Sequence, residues 1–126
     1  MRQRVSAAAA ILVGLAGASA VALGAFGAHA LRGMIGDAAL ATWHTGVEYH
    51  FWHALALLAA VACLPEGRGR SVAIGSFAVG IGLFSGSLYA LALGAPRIVG
   101  VITPVGGVAF IAGWIALGVS LRQDRR

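Results

Sequence analysis

Charged positions are so sparse along this chain that the gaps between them define its elements. Residues 5–31 hold no Asp, Glu, Lys or Arg; residues 38–64 hold one, Glu48; residues 71–96 and 98–121 hold none. Each run exceeds the roughly 20 residues that, at a rise of about 1.5 Å each, cross a hydrocarbon core of about 30 Å. In lipid such a run must fold as a helix, because every backbone amide needs an internal partner. The connections at 32–37, 65–70 and 94–97 are short, and short connections force antiparallel neighbours. The predicted architecture is all-α. It is a polytopic membrane protein, with residues 1–126 forming one integral domain, an antiparallel bundle of four transmembrane helices.

Composition narrows the class. Of 126 residues, 60% are hydrophobic and 10% charged, against about 25% charged and 45–50% apolar in soluble domains. A disordered chain needs the opposite balance, and 19 glycines with 3 prolines carry no collagen period. All nine basic residues are arginine, and with four acids they leave a net charge of +5. They form no stripe of the kind nucleic acid requires, so no nucleic-acid partner is expected. Instead they flank the apolar runs. Arg2, Arg4, Arg68, Arg70, Arg122, Arg125 and Arg126 fall on one side and Arg32 and Arg97 on the other, which predicts both termini in the cytoplasm.

Two local features qualify this reading. Ala28-His29-Ala30 resembles a signal-peptidase site, but the run before it is longer than the roughly 7–15 residues of a signal core. A retained first helix is the expectation. The single Cys63 has no partner for an internal disulfide and is expected to pack as a small hydrophobe at a helix end.

Membrane helices associate through close packing and hydrogen bonds, since lipid is as apolar as leucine. Glycines recur in the first, third and fourth spans, and Gly82-Leu83-Phe84-Ser85-Gly86 forms a small-xxx-small step. Such steps predict tight packing inside the bundle, with homodimerisation as the alternative use. Pro104, followed by Gly106 and Gly107, removes a helical hydrogen bond. It predicts a kink or a broken first turn near Thr103 to Gly107.

Span two concentrates the polar chemistry. His44 and Glu48 lie about 40° apart on one helical face, whereas Tyr49 and His53 lie nearly opposite His44 and His50 lies further round. That spread argues against metal ligation by His44 and His53 together. Glu48 also lacks the Glu-x-x-His spacing of a di-iron helix. A haem between His29 and His53 would have to bridge roughly 18 Å of depth. No cofactor and no metal site is expected. No nucleophile elbow and no phosphate-cradling Gly-Lys-Ser/Thr loop occurs, so no enzyme is expected. Depth counting places His29, His44, Glu48, Ser85, Ser87, Tyr89 and Thr103 in the outer third. With Tyr49 and His53 they form the candidate polar cluster, read either as a small outward-open pocket or as interhelical hydrogen bonding.

Four ordered segments then resemble a known family: Gly24-Ala-Phe-Gly-Ala-His-Ala-Leu31; Tyr49 with His53-Ala-Leu-Ala-Leu-Leu58; Leu83-Phe-Ser-Gly-Ser-Leu-Tyr89; and Ile102-Thr-Pro-Val-Gly-Gly-Val-Ala-Phe-Ile-Ala-Gly-Trp114. The resemblance is to the YgdD/YwdK-like family of small bacterial inner-membrane proteins of unknown function, which has mitochondrial relatives. It implies four transmembrane helices and a plasma-membrane location. It marks His29, His53, Ser85, Tyr89, Thr103 and Pro104 as motif positions without an assigned role. The functional expectation is a non-enzymatic structural or assembly component. Its partners are the lipid bilayer and either a second copy or a larger membrane complex. The alternative is a small oligomeric module that binds or transports a proton, ion or lipid at the polar cluster.

Overall fold

A computed structural model describes residues 5–124. Helix α1 runs Ala7–His29 and α2 runs Asp37–Cys63. The third span, Arg68–Ala92, consists of α3 (Arg68–Gly80), a π-helical turn (Ile81–Ser85) and α4 (Gly86–Ala92). A 3₁₀ turn (Arg97–Val101) leads into α5 (Ile102–Asp124). These four apolar stretches are long enough to cross a membrane, and their bounds fall within a few residues of the uncharged runs. Among the described residues there is no strand, only an isolated bridge between Arg32 and Ile35.

Local chemistry sets the ends. Ser6 caps α1 by accepting the Ala9 N–H at 3.1 Å, which satisfies one otherwise orphaned amide. Asp37 opens α2, where a carboxylate complements the positive end of the helix dipole. Leu64 turns extended at φ −99°, ψ 140°, as a residue before proline is driven to do. α4 closes on Gly94 at φ 101° while the Ala95 N–H reaches the Ala90 carbonyl at 2.9 Å. That Schellman closure needs a left-handed residue, hence glycine.

α2, the third span and α5 pack together as the core, and α1 rests on α2. The α3–α5 pairing is the most extensive. One buried cluster joins Leu57, Ala60 and Leu64 of the second span to Phe77 of α3 and to Phe110 and Leu117 of α5. A smaller one gathers Leu31, Trp43 and Ala92 at the opposite end.

The packing rule is aromatic against glycine. A Cβ on Gly113 would collide with the Phe77 ring, one on Gly80 with Phe110, one on Gly27 with Trp43 and one on Gly46 with Tyr89. One on Gly106 would strike the backbone of Phe84. Gly82 and Gly86, expected to mediate close approach, have nothing within 4 Å of where a Cβ would stand. Neither glycine of the small-xxx-small step therefore seats a neighbouring helix. Bulky rings fill the space at four of these glycines, and at Gly106 the close approach is to backbone.

The interruption expected at Thr103 to Gly107 lies on its N-terminal side, in the 3₁₀ turn. Pro104 sits in the first turn of α5, where a missing N–H forfeits no helical bond, and Gly106 and Gly107 continue the helix. The sharper irregularity is the π turn of the third span, which the hydropathy pattern does not announce. Cys63 is exposed at the end of α2, because the chain turns away at Leu64 before a neighbour can cover it. It does not pack as a small hydrophobe.

Candidate functional site

The central helix carries two buried histidines, each tied at both ring nitrogens. His50 is 4% exposed. Its Nε2 lies 3.0 Å from Ser19 Oγ of α1 and its Nδ1 2.8 Å from Tyr89 Oη of α4. Ser19 donates its own proton to the Ala16 carbonyl at 3.1 Å, which leaves its oxygen free to accept from Nε2–H. Nδ1 then accepts from the Tyr89 hydroxyl. The chain Tyr89 to His50 to Ser19 to Ala16 is thus fully satisfied and crosses three spans.

His53 is fixed by groups that allow one tautomer. The Tyr49 carbonyl can only accept, so Nδ1–H donates to it at 2.6 Å. The indole of Trp114 can only donate, so Nε2 accepts from it at 3.0 Å. The imidazole also stacks on Phe110, with centroids 3.5 Å apart and planes 10° from parallel. Tyr49, Trp52, His53, Phe84, Pro104 and Trp114 line a groove of about 810 Å³ between α2 and α5. Its surface is aromatic and apolar, and the one histidine in it already has both nitrogens engaged.

Nearer the π turn, Ser85 donates to the Gly46 carbonyl at 2.7 Å. Ser87 donates to the Phe84 carbonyl at 2.8 Å and lies 2.6 Å from Thr103 Oγ1, so Thr103 is the donor in that pair. A π turn carries one more residue per turn than the α-helix around it, which rotates the residues after it about the helix axis. Ser85 and Ser87 are accordingly buried here, with Tyr89 half-buried.

The nine residues of the candidate cluster therefore fall into separate places. Tyr49 and His53 share the α2–α5 groove. Tyr89 binds His50, Ser87 binds Thr103, and Ser85 ties the third span to α2. His29, His44 and Glu48 are exposed, the last two on the outward face of α2. Among the described residues no three His, Cys, Asp or Glu side chains come together in a way that could hold a metal ion. His50, Ser19 and Trp114 lie outside the cluster that sequence reasoning assembles. A signal for His50 did exist, because Trp43, Gly46, His50, His53, Leu57, Ala60 and Leu64 recur at three- and four-residue steps, and all seven are buried.

The model of a family described as "Protein of unknown function (DUF423)" matches residues 23–107. The UPF0382 membrane protein YwdK of Bacillus subtilis (strain 168) is 53% identical over 105 residues, covering 80% of this chain and 85% of its own. A UPF0382 membrane protein of Haemophilus influenzae is 46% identical, covering 84% and 86%. The UPF0382 inner membrane protein YgdD of Escherichia coli K12 is 42% identical over 122 residues, covering 92% and 90%. No solved structure matches. Four membrane-length helices, the shared family model and relatives named as membrane proteins lead to one conclusion: the chain belongs to the DUF423 (UPF0382) family of membrane proteins of unknown function.

Proposed function

We propose that this chain is a non-enzymatic assembly component of the bacterial inner membrane that docks onto a second copy of itself through the outward face of α2. The observation that carries this reading is Glu48. It is exposed about 16 Å along α2 from Asp37, with His44 one turn before it on the same face and Thr45 beside them. Glu48 thus stands close to the middle of α2, deeper than the outer third expected from the sequence, and an ionised acidic side chain facing lipid at that depth costs on the order of 2.5–3.5 kcal/mol. Ionisable residues within spans ordinarily face a partner for that reason. A two-fold axis along the membrane normal would set the Glu48 side chains of the two copies at one level with both His44 rings one turn away, removing all four from lipid in the self-complementary contact of a symmetric dimer.

Native mass spectrometry of the protein in mild detergent tests this. The expected spectrum is a dimer that Glu48→Leu converts to monomer with helical circular dichroism unchanged, since Glu48 has no partner among the described residues. A wild-type monomer, or a dimer indifferent to Glu48→Leu, overturns the reading. A second reading, a lipid-handling module, draws support from the α2–α5 groove of about 810 Å³. A co-purified apolar ligand in the same spectrum, lost in Trp114→Ala, would favour it.

A further inference from the structure

Among the described residues Arg70 is the one buried arginine. Its side chain is 7% exposed, wedged between the end of α2 and the start of α3. A guanidinium offers five N–H donors, yet among the described residues its one hydrogen bond runs from Nη2 to the Val61 carbonyl at 3.1 Å. Nη1 stands 3.9 Å from Glu66 Oε1, beyond hydrogen-bond reach, and Glu66 itself is 76% exposed. Nε is buried with no partner among the described residues. A buried charge so poorly satisfied is costly unless something completes it.

Two concavities meet at this arginine. One, of about 380 Å³, is lined by Ser6, Gly67, Arg70 and Ser71 together with Glu66. The other, of about 290 Å³, is lined by Arg68, Arg70, Ser120 and Gln123 together with Glu66. The first turn of α3 opens between them with no side-chain cap, so its leading amides carry the partial positive charge of a helix N-terminus. A buried guanidinium short of acceptors, an uncapped helix start and flanking hydroxyls are the donor set for a phosphate oxyanion. Among the described residues Arg68, Arg70 and Arg122 fall at this end of the bundle.

We propose that the α2–α3 turn is a phosphate site, filled in the membrane by the headgroup of an anionic phospholipid, with Glu66 as its intramolecular competitor. Arg70 and the α3 amides donate to the phosphate oxygens, and Arg68 adds charge at the rim. The Glu66 carboxylate occupies the same space and must swing outward, which its exposure permits. Basic pockets between transmembrane helices are the setting in which such headgroups bind.

The test is titration of delipidated full-length protein with phosphatidylglycerol, with diacylglycerol and with inorganic phosphate, read by native mass spectrometry. Arg70→Lys should weaken phosphatidylglycerol binding by about tenfold, the loss of a bidentate, charge-assisted contact. Glu66→Gln should tighten it by about threefold, the release of an exposed ion pair. If Arg70→Lys fails to fold, Glu66→Gln decides alone, because its side chain is exposed and its fold is not at stake. Phosphate that binds by itself with the same variant pattern makes the source a free anion. Phosphatidylglycerol binding that phosphate does not displace makes it the lipid. Unchanged affinity in Glu66→Gln, or equal binding of diacylglycerol, overturns the proposal.

Discussion

The two histidines of α2 show how little freedom a polar group keeps inside a membrane bundle. Each has both nitrogens engaged, and each ties α2 to another span, His50 to α1 and α4, His53 to α5. Tyr89→Phe deletes the donor to His50 Nδ1 and leaves that nitrogen buried without a partner. The expected loss is about 1–2 kcal/mol, above the roughly 0.6 kcal/mol average for interhelical bonds because an orphan remains. Ser19→Ala removes the acceptor of the buried His50 Nε2–H and leaves an orphan of the same kind, so its expected loss is also about 1–2 kcal/mol. Denaturant unfolding in mixed micelles checks both, and a loss near zero in either variant would contradict the assignment. Wheel arithmetic on α2 separates His44 and Glu48 from Tyr49 and His53, and the structure keeps them apart. What the wheel lacks is the direction of the neighbours. In an isolated span a histidine facing lipid and one facing a helix look alike, which is why His50 stands out less in the sequence than Glu48 does.

At the scale of elements, the glycines divide into those that receive a ring or a backbone and those that face open space. Gly106 abuts the Phe84 backbone, which has no flexible end to yield. Gly106→Ala should therefore destabilise by about 1–3 kcal/mol, the usual cost of overpacking. Gly82→Ala meets nothing and should be neutral or stabilising by up to about 1 kcal/mol from helix propensity alone. Thermal unfolding of the two variants side by side makes the comparison. A sequence in which glycine occurs every few residues does not say which glycines are which. The π turn is equally invisible there. One inserted residue shifts a periodic pattern only where there is a pattern, and residues 71–96 are apolar on nearly every side. The span boundaries are legible for the converse reason, since uncharged length is a feature no packing arrangement can hide.

For the whole molecule, enclosure falls from the middle outward. Of the most apolar window of each span, 44% is buried in α2 and 11% in α1. α1 is held by a few specific ties, among them the Trp43 indole donating to the Leu23 carbonyl at 2.9 Å and the Ser19 bond to His50. The four spans alternate in direction, so the start of α1 and the end of α5 share one side, and arginine excess predicts which. A fluorescent protein fused to the C-terminus should fold and glow, while alkaline phosphatase fused there should stay inactive. The reverse pattern would turn the molecule over, and the Arg70 pocket with it.

The aromatic-over-glycine contacts between α3 and α5 have a symmetry of their own. Phe77 and Gly80 stand three residues apart on one helix, Phe110 and Gly113 three apart on the other, and each ring covers the other helix's glycine. The same four-letter word, Phe-x-x-Gly, is thus written on both partners and mates with itself when they run in opposite directions. Side by side in the same direction, the word would set ring against ring and gap against gap. The joint accordingly acts as a polarity mark. It makes antiparallel pairing of these two helices a property of eight residues, before the loop between them is considered.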